Sequence, residues 1–371
     1  MRKIIDLFAG AGGLSLGAAR AGFNVCASVE IDPFALAVHK RNFPTSVHID
    51  RSVAKLTGPG LLKEANVRPG ELAGLIGGPP CQGFSSIGRR DADDERNDMF
   101  GHFFRLVAST QPAFFVAENV PGILDVRYDQ IRATAFAKLR NRYRLLEPLI
   151  VSANKFGAPT TRTRIFFLGY QPDRFREELT EDSFSPSEDQ QIVCVRNALQ
   201  GLPIEIDENW QSAESGWQAV DNIGDDWFGN RVRNAVPLGV GHPASLERFY
   251  EKGQVSGCMG TKHTPDVVAR FLDTEPGERD PISRAPRLHP ERFCPTLRAG
   301  TSRERGSYQA VRPIHYEQPR VITPREAARL QGFPDWFVFD DTKWHSFRQI
   351  GNSVSPLVAE FILHKLSSAL R

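Results

Sequence analysis

The sequence predicts an α/β fold: a parallel-sheet domain of βαβ units, joined to a smaller, irregular second domain. Three observations carry this expectation. Over the first 170 residues short apolar runs alternate with stretches of helical periodicity, the pattern of βαβ units with right-handed crossovers. The first run leads into FAGAGGLSLG at 8–17, a glycine-rich turn that opens a helix. From about Gln171 to Ile322 the alternation dissolves into a stretch rich in Pro, Gly, Ser and polar residues. Residues 1–170 with 323–371 are therefore expected to form one domain, and 171–322 the other.

Strands are expected at 3–8, 25–31, 72–76, 113–118, 145–151 and 165–170, where the apolar runs have the length of buried strands. Between them, helical spacing marks 14–21, 34–41, 100–110 and 130–140. Thr323 is placed to cap a short helix over 324–330. In 354–370, Val354, Leu357, Val358, Phe361, Ile362 and Leu366 recur at helical spacing. That apolar face needs a partner, so the C-terminal segment is expected to fold back onto the first domain.

A chain of 371 residues has room for about two domains, each with its own core. The net charge of +2 does not itself announce a nucleic-acid partner. Only ten of the 46 basic residues are lysines, however, and arginine suits bidentate recognition of phosphates and guanine edges. Five cysteines with no CxxC pair argue against a zinc site and a disulfide framework. The opening apolar run is short and broken by Asp6, unlike a signal peptide or membrane span, so the cytosol is the expected compartment.

The most informative stretch is GGPPCQGFS at 77–85. Two prolines restrict the backbone and the glycines permit unusual turns, so Cys81 is held on a constrained loop after an apolar run. A thiolate there suits nucleophilic attack; a buried cysteine in an ordinary turn is the plainer alternative. Glu30, about twenty residues beyond the glycines, fits a ribose diol, and Asp50 is a third strand-end candidate for the same nucleoside pocket. Glu118 closes the apolar run AFFVAE, a setting that suits a proton donor. Arg162 and Arg164 stand two apart on the strand entered by PTTRTR, and QIGNSVSP at 349–356 reads as a tight polar turn opening a helix. The glycine turn alone would also serve a nicotinamide or flavin oxidoreductase, which has no use for Pro-Pro-Cys or Glu-Asn-Val.

FAGAGG, GGPPCQGFS, ENV, the TxRxR of 160–164, RLQGFP at 329–334 and QIGNSV resemble, in order and spacing, the C5-specific DNA cytosine methyltransferases. The resemblance covers nearly all of 1–170 and 320–371. It implies a Rossmann-like methyltransferase sheet that binds S-adenosylmethionine, with a smaller target-recognition domain that reads double-stranded DNA. Phe8, Gly10, Gly12 and Leu14 would surround the methionine part, Glu30 the ribose and Asp50 the adenine. Ile31 and Pro80 join this cofactor set, and Asn352 and Val354 would close the pocket from the C-terminal side. Cys81 would add to C6 of a flipped cytosine while Glu118 serves N3, Arg164 holds O2, and Arg162 supports the site or a phosphate. The segment 85–99, with Ser85 and Arg89, resembles a loop that closes on DNA; a solvated surface loop is the plainer reading. Arg298, Arg303 and Arg305 lie in an arginine-rich run and are expected to contact DNA. The resemblance further implies a monomer in the bacterial cytosol that needs no metal, working as the modification partner of a restriction endonuclease or alone. A tRNA-directed cytosine methyltransferase is the alternative, and a non-catalytic DNA-binding relative would be expected to lack the nucleophile. Thr160 stands where the family has Gln, which puts the local hydrogen bonding there in question.

Overall fold

In the computed structural model the described residues are 1–80, 98–207, 209–212, 216–221, 226–233, 236–300 and 312–371. Cys81, Ser85, Arg89, Arg303 and Arg305 lie outside them, as does most of the expected DNA-closing segment.

Five strands run parallel: β1 (Lys3–Leu7), β2 (Asn24–Val29), β3 (Val47–Ile49), β4 (Leu72–Gly77) and β5 (Phe114–Asn119). β6 (Arg144–Leu145) and β7 (Leu149–Ser152) pair antiparallel with β8 (Thr163–Tyr170), which itself runs antiparallel beside β5. The order is β3-β2-β1-β4-β5-β8-β6, with β7 also on β8. The chain moves outward from β1 to β3 and then returns to β4, so β1 and β4 flank a switch point, where such sheets hold ligands beyond their carboxyl ends. The run expected as one strand at 145–151 is two, because Glu147 and Pro148 interrupt it and proline cannot donate to a ladder.

Alternation along the strands sends neighbouring side chains to opposite faces. Ile4, Val116, Phe166 and Leu168 join one apolar cluster, whereas Ile5, Leu7, Phe115, Ile165 and Phe167 join the other. The helices α1 (Gly13–Arg20), α2 (Pro33–Asn42), α3 (Gly58–Glu64), α4 (Asp98–Thr110) and α5 (Asp129–Ala137) cover these faces. Asp32 caps α2 by accepting from Phe34 N and Ala35 N, and Thr57 caps α3. Beside α4 and α5, Phe100, Phe104, Phe136 and Phe167 pack in tilted and edge-on pairs.

Among its described residues the expected irregular stretch holds the α-helices α6 (Val195–Leu199), α7 (Trp227–Arg233), α8 (Pro243–Lys252) and α9 (Pro265–Asp273), with a two-stranded ribbon of β9 (Gln218–Ala219) and β10 (Gln254–Val255). Much of its apolar content, including Phe175, Leu179, Val195, Leu199 and Phe249, belongs to the same cluster as the sheet and the C-terminal helices. A separate small core is formed by Phe271, Ala285 and Ile314. Packing is therefore continuous across the expected boundary at 170/171.

Then come α10 (Pro324–Leu330), α11 (Lys343–Asn352) and α12 (Pro356–Ala369). Thr323 and Glu326 form a reciprocal capping box at the start of α10. QIGN at 349–352 is the last turn of α11, so the tight turn spans 353–355 only. Helix α12 lies along α1. A Cβ added to Gly17 would fall 2.3 Å from Ala359 Cβ and 2.6 Å from Glu360 N, so only glycine permits this approach. Beside it the buried Arg20 guanidinium, pushed down to about 10 by burial, faces Glu360 at 3.8 Å. The C-terminal segment thus completes the first sheet's packing. Among the described residues no helix is long and apolar enough to cross a membrane.

Candidate active site

Three adjacent strands deliver the expected nucleoside-pocket residues to one edge. Beyond β1, Phe8 has φ +59°, Gly10 +57° and Gly12 +105°. An aromatic residue in the left-handed region costs on the order of 1–3 kcal/mol, strain that concentrates at ligand sites. Gly12 heads α1, and a Cβ there would lie 2.4 Å from the Phe43 ring. A Cβ on Gly10 would meet nothing within 4 Å, so the turn is open on that side. At the end of β2, the Glu30 carboxylate accepts from Gly10 N, Ile31 N and Asp32 N, each at 2.8 Å. Burial raises its pKa, and the three amides counter part of that. Ile31 is 62% exposed beside it, and Asp50 is exposed just beyond β3. Leu14 is buried in the first turn of α1 and belongs to the apolar core.

The C-terminal turn reaches the same place. Val354 O lies 2.3 Å from the position a Gly13 Cβ would take, which brings 352–354 against the glycine-rich turn. Asn352 is exposed there, and Val354 is buried. Phe34 stacks on His345 with centroids 3.6 Å apart, and Arg348 pairs with Asp32 at 2.6 Å, so α2 and α11 are joined at the rim.

β4 and β5 bring up the second group. Register sets Glu118 opposite Phe166, which puts Arg164, two residues earlier on β8, on the same face and diagonal to it. Arg164 Nε accordingly lies 2.8 Å from Glu118 Oε1. The next residue, Asn119, donates to Pro79 O at 3.4 Å and ties β5 to the turn that continues through Pro80 to Cys81. A Cβ on Gly78 would sit 3.0 Å from Glu118 Oε2, so that turn and the carboxylate are close.

Arg162 behaves differently from Arg164. Its side chain is 3% exposed, and Nη1 donates to Leu297 O at 3.2 Å and Gly351 O at 2.9 Å. It therefore knits the entrance of β8 to 297 and to the end of α11. A phosphate contact does not fit this burial; supporting the site does. Thr160 is also buried, bridging backbone to Cys294, with no hydrogen-bond partner for its hydroxyl among the described residues.

Residues 284–325 hold nine arginines against three glutamates, but the described arginines among them do not form one surface. Arg287 is buried and donates to Phe271 O and Thr274 O, and Arg325 is buried and bonded to Ser256 O and Phe337 O. Arg320 pairs with Glu326, and Arg312 lies over the Phe347 ring at 4.0 Å. Arg284, Arg292 and Arg298 are exposed. Arg298 follows directly on Leu297, and its backbone crowds Gly351, so it stands next to the site.

Sequence reasoning missed Asn119 as a tie and passed over Asp6, Ser15, His39 and His48. The signal was an acid inside the apolar run IIDLF and a histidine on the apolar face of α2.

The fold and these strand-end groups define an α/β protein with a carboxylate–guanidinium pair beside a proline-rich turn. The model of the C-5 cytosine-specific DNA methylase family matches residues 2–368. Type II methyltransferase M.XorII of Xanthomonas oryzae pv. oryzae is 37% identical over 371 residues, covering 99% of this chain and 85% of that protein. M1.HphI of Haemophilus parahaemolyticus is 32% identical, covering 96% and 84%. A crystal structure from E. coli, described as a DNA modification methyltransferase encoded within a prophage, superposes with a TM-score of 0.89. It has 47% identity and covers 100% of this chain and 99% of that one. The Dnmt2 methyltransferase of S. pombe, at 19% identity and TM-score 0.63 over 99% and 98% of the chains, shares the fold. The chain belongs to the C-5 cytosine-specific DNA methylase family, and it is a DNA cytosine-5 methyltransferase.

Proposed function

We propose that the enzyme uses S-adenosylmethionine as methyl donor and acts on a cytosine swung out of duplex DNA, with Cys81 as covalent nucleophile. The edge at β1–β3 suits that donor. Glu30 offers a fixed carboxylate for a diol, Ile31 an exposed apolar side chain, and the turn at Gly10 is open. When bound, the donor supplies an electrophilic methyl group on a sulfonium.

Cytosine C5 is too weak a nucleophile to take that methyl unaided. The Cys81 thiolate adds to C6 while Glu118 donates a proton or hydrogen bond at N3, and the electron density gained at C5 makes it reactive. After transfer, loss of the C5 proton and departure of the thiolate restore the ring. Arg164 fixes Glu118 and reaches for the cytosine O2, while Arg162 holds the frame. None of these atoms is accessible in stacked duplex, so the base must leave it. The target sequence would be read by 171–322, with Arg298 at the site's margin. Relatives named type II methyltransferases support a role beside a restriction endonuclease.

The observation that carries this reading is the Glu118–Arg164 pair, held beside the Gly78–Pro80 turn that leads directly into Cys81. The test is duplex DNA carrying 5-fluorocytosine at the target. A stable protein–DNA adduct is expected with the parent chain and none with Cys81→Ala, which should still bind the donor within a few-fold. An active preparation that forms no adduct would sink the covalent route. Methylation of tRNA in preference to duplex would shift the substrate to RNA.

A further inference from the structure

Beneath the glycine-rich turn lies a polar chain that the methyl-transfer chemistry does not use. Asp6 on β1 is fully buried two residues before Phe8. Its Oδ2 accepts from Ser15 Oγ at 2.7 Å, while Oδ1 has no hydrogen-bond partner among the described residues. Ser15 Oγ is 3.0 Å from His39 Nε2, and His39 Nδ1 is 3.0 Å from His48 Nε2. Ser28 Oγ stands 3.4 Å from the same Nδ1. Ser15, Ser28 and His39 are wholly buried, whereas His48 on β3 is partly exposed. Four elements thus supply one unbroken line from solvent to a buried carboxyl.

We propose that this line is a proton-linked floor of the methyl-donor site: a cation bound at the turn expels one proton from Asp6, which leaves through Ser15 and His39 at His48. The inference rests on S-adenosylmethionine being the donor.

The chain has two complete hydrogen-bonding orientations. With Asp6 ionised, His48 Nε2–H donates to His39 Nδ1, His39 Nε2–H donates to Ser15 Oγ, and the Ser15 hydroxyl donates to Asp6 Oδ2. One proton added at His48 Nδ1 lets each donor pass its hydrogen along. Asp6 then donates to Ser15, Ser15 to His39 Nε2, and His39 Nδ1–H to His48 Nε2. A single proton separates the states, and both histidines are neutral in each. Burial holds His39 far below its ordinary value, which fits a ring that changes tautomer rather than charge.

Few charged groups face the line. Burial pushes Asp6 up to about 7; the Ser15 hydrogen bond opposes this, and Glu30 at the end of β2 adds to it. Burial is the larger cause that lowers His48, and Lys40 from α2 lowers it further. From α1 comes the neutral Ser15. A sulfonium and an ammonium brought near this carboxyl favour its ionised form, so binding and proton loss are linked.

The test is calorimetric titration of S-adenosylmethionine at one pH in buffers of different ionisation enthalpy. At pH 7 the parent should release roughly half a proton per donor bound, and S-adenosylhomocysteine, which lacks the sulfonium, should release less. Donor affinity should rise with pH through neutrality. Asp6→Asn should flatten that profile. Ser15→Ala, which removes the side-chain hydrogen bond that stabilises the carboxylate, should weaken binding several-fold at pH 7 and recover at higher pH. In the parent, ¹⁵N spectra should show His39 moving toward the Nε2–H tautomer on binding. Donor binding without proton release, with an unchanged profile in Ser15→Ala, would overturn this inference alone. Absence of donor binding by the parent would overturn the donor reading and this inference with it.

Discussion

Glu118 sits at a carboxyl edge, paired with a guanidinium that register makes its diagonal neighbour, so its shape and its acidity can be separated by mutation. Glu118→Gln keeps the shape and removes the acid. General acid catalysis is worth about 10²–10⁴-fold, and a fall of that order in methylation rate, with duplex affinity little changed, is expected. An undiminished single-turnover rate would remove Glu118 from the chemistry. Asp6 gives a second prediction, in stability. Its folded pKa of about 7 lies above the unfolded value of about 3.9, so between these the folded chain holds the extra proton. Stability therefore falls as pH rises through that window, by on the order of a few kcal/mol, and levels off above it. Asp6→Asn removes the contribution, so its melting temperature should gain on the parent's from pH 4 to 7 and then run parallel. Parallel curves throughout would show that Asp6 is ionised in both states. Glu118, Glu30 and Asp50 were legible because a charged residue closing an apolar run announces a strand end. Arg162 was not, because its carbonyl partners at 297 and 351 are far off in sequence and only the fold brings them together.

Elements were legible where their periodicity was long. The alternation of 1–170 predicts the strand–helix order, and the apolar stripe of 354–370 predicts the return of α12. The three-residue β3 and the short α3 carry too few residues for a period to show. Helices α8 and α9 each begin with proline after His242 or Thr264, a start signal that the surrounding Pro, Gly and Ser obscured. The seam between α1 and α12 is the element-level contact on which the glycine-rich turn depends, since α1 begins at that turn. Gly17→Val drives a side chain into Ala359 and Glu360, an overpacking that typically costs about 1–3 kcal/mol. A lower melting temperature and weakened donor binding should appear together. Gly101, exposed in α4 with nothing within 4 Å of its added Cβ, is the contrast. Gly101→Ala should stabilise by about 0.5–1 kcal/mol, as alanine does in a helix, and leave donor binding alone. Equal responses of the two variants in denaturant titration would contradict the seam.

Across the whole molecule, charge is nearly balanced at +2, yet 284–325 holds nine arginines against three glutamates. In sequence this reads as one basic surface; in the fold it divides. Arg287 and Arg325 are turned inward onto carbonyl groups, where they brace 171–322 and the C-terminal part of the chain. Arg284, Arg292 and Arg298 remain exposed, and Arg298 is the one whose backbone abuts Gly351, beside the site. If 171–322 reads duplex DNA, Arg298 is the exposed arginine of the described part of 284–325 that stands at the margin of the site. Arg298→Ala then has two distinguishable results. If the guanidinium holds a phosphate, its removal should weaken binding to all sequences alike and reduce the salt slope by about 0.9. If it reads a base edge, its removal should relax discrimination at one base pair by about 1–3 kcal/mol and leave the other positions unchanged. Arg287→Ala is the interior control, and it should lower the melting temperature while the salt slope of the folded fraction stays the same. Duplex titrations of Arg298→Ala over a range of salt that match the parent in affinity, slope and sequence preference would place the reading surface away from this margin of the site.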